Sequence, residues 1–301
     1  MENDLKYALL IDAENVSSKY IELIMDEMSN FGVTTYRRIY GDWTSNANIS
    51  WKDILLKYSI SPVQQYRYVD GKNASDSALI IDAMDILYSG HVDGFCLVSS
   101  DSDFTRLASR LRESAKNVIG MGESKTPSAF INACNQFKYM DILYNKQKEE
   151  ALANQPEKEP DKDHETPPSS VKPMVNRRSR SSKGKTNGTE SVKPAPAKPI
   201  PAAAETIKAK PQPQTKLATI RKALRSIIEE NSDEDGWIAS SKLGNLIAKR
   251  FPDFDVRNYG YSKLNLFIDS LSEFEMDRQP SKPGSKVQHI HFRIRDKDDS
   301  E

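Results

Sequence analysis

The chain has 301 residues with 43 basic and 43 acidic side chains, so its net charge indicates no class of partner. No apolar run approaches the roughly 20 residues that a membrane-spanning helix needs, and the amino terminus shows no secretory signal. The two cysteines, Cys96 and Cys134, lie in apolar segments and are expected to be reduced thiols. A soluble, cytoplasmic protein is therefore expected, with no membrane partner. Its length suits about two domains.

Short apolar runs alternate with amphipathic segments through the first 145 residues. The predicted strands are residues 7–12, 34–40, 63–68, 94–99 and 117–121. The predicted helices between them are residues 18–31, 50–58, 75–88 and 104–112. Strands that are apolar almost throughout are typical of a parallel sheet covered by helices on both faces. The sequence thus predicts an α/β, Rossmann-like domain.

Carboxylates follow two of these strands. Asp12 ends the first, Asp101 and Asp103 follow the fourth in "CLVSSDSDF", and Asp76 begins the third helix. With strand order 3-2-1-4-5, the first and fourth strands are neighbours at the point where ligands bind in such sheets. Carboxylates that converge there repel one another unless a cation joins them, and Mg²⁺ or Mn²⁺ suits such oxygen ligands.

Each of these acids also has a structural alternative. Asp103 and Asp76 stand where a helix N-cap is expected. Asn15 would either support the acidic site or cap the first helix, and Lys72 would either meet a phosphate or be simply exposed. Asp82 is predicted to lie on another helix face, in solvent.

Composition changes sharply after the first domain. Residues 146–214 contain no aromatic residue and hold 11 of the 16 prolines, with 14 basic and 9 acidic side chains. Such a segment is predicted to be a disordered linker, and its basic centre would be either an arm that contacts nucleic acid or a solubilising spacer. Beyond it, three amphipathic helices (217–230, 240–251 and 261–271) and two strands (274–279 and 286–295) predict a small winged-helix domain. Residues 296–301 form an acidic tail.

The segments "LLIDAENV", "GKNASDSALIIDAMD" and "LVSSDSDFTRLASRLRE" together resemble the motifs of NYN domains, in the PIN-like nuclease superfamily. The resemblance covers about residues 5–145, within a first domain expected over residues 1–145. It implies metal-dependent hydrolysis of phosphodiesters, mostly in RNA, with a catalytic group of Asp12, Asp76, Asp101, Asp103 and Asn15. The four aspartates would be ligands of Mg²⁺ or Mn²⁺.

Residues 215–295 resemble a LOTUS, or OST-HTH, domain, and "GYSKL" is the most specific part of that resemblance. It implies RNA binding, or protein binding in some members. Cations and aromatic residues that suit phosphates and unpaired bases are interleaved near the third helix and on the wing. With Lys72, the predicted nucleic-acid contacts are Arg257, Tyr259, Tyr261, Lys263, Arg278, Lys282 and Lys286, although at least one tyrosine is also expected in the core.

The leading hypothesis is an endoribonuclease whose chemistry lies in the first domain and whose affinity for RNA comes from a tethered module. A catalytically inactive RNA-binding scaffold is the first alternative. A haloacid-dehalogenase-like phosphatase is the second, because "DAENV" nearly matches that nucleophile motif, although Glu14 is a methylene longer than the acid required.

Overall fold

The computed structural model describes residues 4–44, 46–66, 74–153, 211–280 and 288–295. Most of the predicted linker, the acidic tail, Lys72, Lys282 and Lys286 lie outside these residues. The described parts of both domains fall within one compact unit. No helix in the described ranges is long and apolar enough to cross a membrane.

The first domain is built on a six-stranded parallel sheet of order β3-β2-β1-β4-β5-β6. This confirms the α/β fold and the order 3-2-1-4-5, and adds a sixth strand that was not predicted. The strands are β1 (Lys6–Asp12), β2 (Val33–Gly41), β3 (Ser61–Gln64), β4 (Gly94–Val98), β5 (Asn117–Gly122) and β6 (Gln136–Tyr139). Strand β3 lies at the edge of the sheet and contains Pro62. Proline has no amide N–H, and an edge strand tolerates this because one of its sides has no neighbouring strand to bond.

Helices cover both faces of this sheet. They are α1 (Ile21–Ser29), α2 (Lys52–Lys57), α3 (Ala74–Ser89), α4 (Thr105–Glu113), α5 (Ser128–Ala133) and α6 (Met140–Ala153). Because side chains alternate along a strand, Leu10 of β1 packs with the core of α3, α4 and α5, whereas Leu9 and Ile11 pack with α1 and α6. Helix α6 continues to Ala153, past the predicted domain boundary at residue 145. Cys96 and Cys134 are buried free thiols, as predicted.

The second domain has three helices and a three-stranded antiparallel sheet of order β7-β9-β8. Its elements are α7 (Leu217–Asn231), β7 (Ile238–Ala239), α8 (Ser240–Arg250), α9 (Leu264–Asp269), β8 (Phe274–Pro280) and β9 (Gln288–Ile294). The apolar stripes of the helices meet around Leu224, Ile247 and Phe267, all fully buried. The predicted winged-helix architecture is confirmed.

The second domain covers the free edge of β6. The Phe137 amide donates to the Pro252 carbonyl at 2.8 Å, so part of the edge strand's hydrogen-bonding capacity is used there. The Tyr139 hydroxyl donates to the buried carboxylate of Asp253 at 3.0 Å, and the Thr215 hydroxyl donates to the same carboxylate at 2.6 Å. The hydrogen bonds of Phe137 and Tyr139 dock the second domain directly on the first, where a tethered module was expected.

A chain of ion pairs joins the domains beside these hydrogen bonds. Arg257 donates to Glu27 of α1 at 2.9 Å and to Asp255 at 2.7 Å, and Lys138 of β6 meets Asp255 at 2.7 Å. The side chains of Glu27 and Asp255 are only 6% and 9% exposed. Burial raises the pKa of Asp255, but hydrogen bonds and charge from Arg257 and Lys138 outweigh it and hold this pKa well below its ordinary value.

Candidate metal centre

Three of the predicted acids come together at the carboxyl edge of the sheet. Asp76 lies in the first turn of α3, while Asp101 and Asp103 lie in the turn between β4 and α4. One carboxylate oxygen from each of the three lies within 4.8 Å of the others. In the described ranges no other set of three or more His, Cys, Asp and Glu side chains is this close together. The arrangement follows from the parallel sheet, which places the ends of its strands at one edge.

Asp12, the fourth predicted acid, lies behind this group. It ends β1, is 1% exposed, and accepts hydrogen bonds from the Asn15 side chain and the Ser99 hydroxyl, both at 2.8 Å. Backbone amides of Glu14 and Asn15 bind its other oxygen at 3.0 and 3.3 Å. Asn15 therefore contacts the Asp12 carboxylate through both its side chain and its backbone amide. Asp12 stands close enough to the group to contribute to the raised pKa of Asp76.

Ser99 connects Asp12 to Asp101 and was not singled out from the sequence. Its hydroxyl donates to Asp12 and accepts the amide of Asp101 at 3.0 Å. The serine thereby fixes the turn that carries Asp101 relative to the end of β1. Its position directly after an apolar strand, in "SSDSD", is a signal that could have identified it.

The aspartate that caps the helix after β4 is not the one that was predicted. Asp101, not Asp103, is the N-cap residue of the short 3-10 turn after β4, and its side chain accepts the amide of Asp103 at 2.9 Å. This hydrogen bond uses one carboxylate oxygen of Asp101 and orients the other. Asp101 thus combines a capping role with its place in the acidic group.

The prediction that Asp82 is solvated was wrong. Its carboxylate accepts hydrogen bonds from Arg38 and from the hydroxyl of Tyr40, both on β2. Because α3 packs against β2, the helix face that carries Asp82 meets these strand side chains and not solvent. Asp82 is therefore part of the packing between α3 and the sheet.

Burial and neighbouring negative charge affect the ionisation of Asp76. Burial, followed by the negative charges of Asp12, Asp101, Glu14 and Asp103, raises the pKa of Asp76 to about 6. Burial also raises the pKa of Asp12, although four hydrogen bonds oppose this effect. The cluster holds more negative charge than its surroundings neutralise, which is the electrostatic condition that a bound divalent cation relieves.

The donors fit a hard divalent ion. All three converging groups are carboxylates, which suit Mg²⁺ and Mn²⁺ better than zinc, for which His and Cys donors are typical. Glu14 lies nearby and accepts the Ser75 hydroxyl at 2.9 Å. A cleft of about 430 Å³ opens beside Glu14 and Asn15, with Asp42 and Glu123 in its lining.

The predicted nucleic-acid residues of the second domain divide into two groups. Lys263 and Arg278 are exposed. Arg257 is engaged by Glu27 and Asp255, the Tyr259 hydroxyl donates to the Thr215 carbonyl at 2.7 Å, and Tyr261 packs edge-on against Phe267. These three side chains serve docking and packing, because their cationic and aromatic groups already face partners within the protein.

The burial of Asp76, together with the neighbouring negative charges, predicts a gain of stability when its carboxylate is removed. In EDTA at neutral pH, Asp76→Asn should raise the free energy of unfolding by about 1–2 kcal/mol, a value reduced to allow for solvent screening. Because its folded-state pKa is about 6, against 3.8 ordinarily, the wild type should lose stability as pH rises through this window, and Asp76→Asn should not. Urea unfolding at both ends of the window measures this.

Asp85→Asn is the matched control, since Asp85 is an exposed residue of the same helix. If Asp76→Asn is no more stable than Asp85→Asn in EDTA, the acids do not repel one another as the geometry indicates.

Comparison with known proteins identifies two domain profiles in the chain. The NYN domain profile matches residues 6–141, and the OST-HTH/LOTUS domain profile matches residues 215–285. Comparison with curated proteins finds no significant match.

Two solved structures are similar to parts of the chain. A protein of unknown function from Vibrio parahaemolyticus RIMD 2210633 is 20% identical, with a TM-score of 0.40 over 47% of this chain and 96% of its own. An uncharacterized protein from Nitrosomonas europaea, solved by NMR, is 31% identical, with a TM-score of 0.23 over 35% of this chain and 92% of its own. From its two matched profiles, the chain carries an NYN domain, which has a nuclease-like fold, followed by an OST-HTH/LOTUS domain, a module that suggests RNA binding.

Proposed function

We propose that this protein is a metal-dependent endoribonuclease that hydrolyses RNA phosphodiesters at the acidic group of its NYN domain. The observation that carries the proposal is the convergence of Asp76, Asp101 and Asp103 within 4.8 Å at the carboxyl edge of the sheet. When bound there, Mg²⁺ or Mn²⁺ would lower the pKa of a water molecule and stabilise negative charge on the phosphate.

The side chains have separate tasks in this proposal. Asp76, Asp101 and Asp103 hold the cation with their carboxylate oxygens. Asp12 supplies buried negative charge behind them and, through Ser99, holds the turn that carries Asp101. Asn15 keeps the Asp12 carboxylate oriented. Because the raised pKa of Asp76 favours a protonated carboxyl, cation binding should release a proton near pH 6.

The geometry disfavours the phosphatase alternative. In that chemistry the first acid of "DAENV" is a nucleophile and needs an accessible carboxylate. Asp12 is 1% exposed, and its two oxygens accept four hydrogen bonds. Glu14, which would act as the second acid, accepts the hydroxyl of Ser75. The packed surroundings of Asp12 suit a positioning group better than an attacking one.

In the inactive-scaffold alternative, the protein binds RNA but does not cleave it. We favour catalysis because one oxygen from each of three carboxylates lies within 4.8 Å of the others, an arrangement that is electrostatically unfavourable without a cation. For the OST-HTH/LOTUS domain we propose RNA binding through exposed cations such as Lys263 and Arg278, with a protein partner as the other use of such a domain.

A substrate panel tests the proposed function. Purified protein should cleave labelled single-stranded or structured RNA in Mn²⁺ or Mg²⁺, cleave DNA less efficiently, and cleave neither in EDTA. Internal cuts in a circular RNA would establish endonucleolytic action. Undiminished cleavage in EDTA would exclude the metal mechanism, while binding without cleavage in every metal would support the scaffold.

A further inference from the structure

A second polar pocket lies where the two domains meet, at the opposite end of the first domain from the acidic group. It has a volume of about 490 Å³. The first domain contributes the carboxyl end of α4 and the start of β6, and the second contributes the last turns of α8. The polar side chains that line it include Arg112, Asn132, Gln136, Asn245, Lys249 and Arg250.

The lining carries three cations and no acid among the described residues. Lys249 and Arg250 are exposed and make no ion pair with any residue that the structure describes. Arg112 is held in place, because its guanidinium donates to the carbonyls of Asn132 and Ala133 at 3.1 and 3.2 Å. Positive charge from two domains is therefore concentrated around one cavity without compensation by a lining carboxylate.

Helix geometry explains only part of this arrangement. Lys249 and Arg250 are favourable at the end of α8, because cations interact well with the last carbonyls of a helix. The same effect applies to Arg112 in the last turn of α4. It does not account for the meeting of two helix ends at one cavity, or for the side-chain amides of Asn132, Gln136 and Asn245 there. Cations interspersed with amide donors form the donor set that binds phosphate oxygens.

We propose that this junction pocket binds the phosphate backbone of a single RNA strand, at a site separate from the acidic group. Helix α4 connects the two sites, because it begins just after Asp103 and ends at the pocket. Its nine residues span about 13 Å at 1.5 Å per residue, a short distance for a strand that occupies both sites. The inference shares the RNA ligand with the proposed function and requires none of its chemistry.

The test is equilibrium binding of a labelled single-stranded RNA to the full chain in EDTA, which prevents metal-dependent cleavage. The double variant Lys249→Ala/Arg250→Ala should reduce the magnitude of the slope of log affinity against log salt concentration by about 1.4. Each lost phosphate contact on a single strand accounts for about 0.7 of this. If the variant and the wild type bind equally at 1 M salt, this change of slope makes the affinity of the variant about 25-fold lower at 0.1 M salt.

Lys222→Ala/Arg225→Ala is the matched control, with the same loss of charge on exposed residues of α7 outside the pocket lining. It should retain nearly wild-type affinity, and thermal unfolding should show that both double variants are folded. If both variants bind RNA equally well, or lose affinity equally, the pocket is not a specific phosphate site and the inference is overturned. Because the readout is binding, it can succeed even if no nuclease activity is found.

Discussion

Asp101→Asn should lower the rate of RNA cleavage at least about 10²-fold, the usual loss for a group that stabilises charge at a reaction centre. The substitution keeps the shape of the side chain but replaces one charged ligand with a neutral amide. RNA affinity in EDTA should be unchanged or slightly improved, since a negative charge is lost. Single-turnover cleavage in Mn²⁺ measures the rate.

Asp101 is a better choice than Asp12 for this measurement. Asp12→Asn would place an amide NH2 against two of the four hydrogen-bond donors in a buried site, so lost activity could reflect local misfolding. Asp85→Asn supplies the control for charge and expression, because Asp85 is exposed on α3. Full activity in Asp101→Asn would remove the acidic group from the mechanism.

Arg257→Ala should destabilise the protein by about 3 kcal/mol, because it leaves the buried carboxylates of Glu27 and Asp255 without their main partner. Arg257→Lys should recover only part of this, since an ammonium cannot form the paired hydrogen bonds of a guanidinium. Urea unfolding measures both changes. The unfolding of the two domains should also become less coincident, because the lost contacts join them.

Arg225→Ala provides the comparison for Arg257→Ala. Arg225 pairs with Glu229 at 3.8 Å on an exposed helix surface, where such a pair contributes less than about 1 kcal/mol. If Arg257→Ala unfolds like Arg225→Ala, the ion pairs do not hold the domains together. A loss of RNA affinity in Arg257→Ala must be interpreted with this stability change, because Arg257 is not an exposed cation.

The acidic group was predictable because its determinants are local. Apolar strands ending in aspartates, combined with the rule that ligands bind at the carboxyl ends of parallel strands, placed Asp12, Asp76 and Asp101 at one edge. The structure adds an order in depth: Asp12 lies buried behind the other three acids, which converge. That order depends on Ser99 and Asn15, whose hydrogen bonds no spacing rule specifies.

Docking of the second domain was not predictable in the same way. Interleaved cations and aromatics at residues 257–263 are typical both of RNA binding and of a polar domain interface. The deciding partner of Arg257 is Glu27, 230 residues away in the sequence. Strand β6 was missed because it has only four residues, too few for their polar and aromatic alternation to stand out in the sequence.

The central claim is that the cation held by the acidic group is responsible for cleavage. The most direct measurement titrates metal-free protein with Mn²⁺ and follows bound Mn²⁺ by electron paramagnetic resonance and RNA cleavage in the same samples. We predict that the cleavage rate rises in proportion to Mn²⁺ occupancy and that Asp101→Asn loses both. Cleavage by the metal-free protein, or full Mn²⁺ occupancy in Asp101→Asn, would contradict this account.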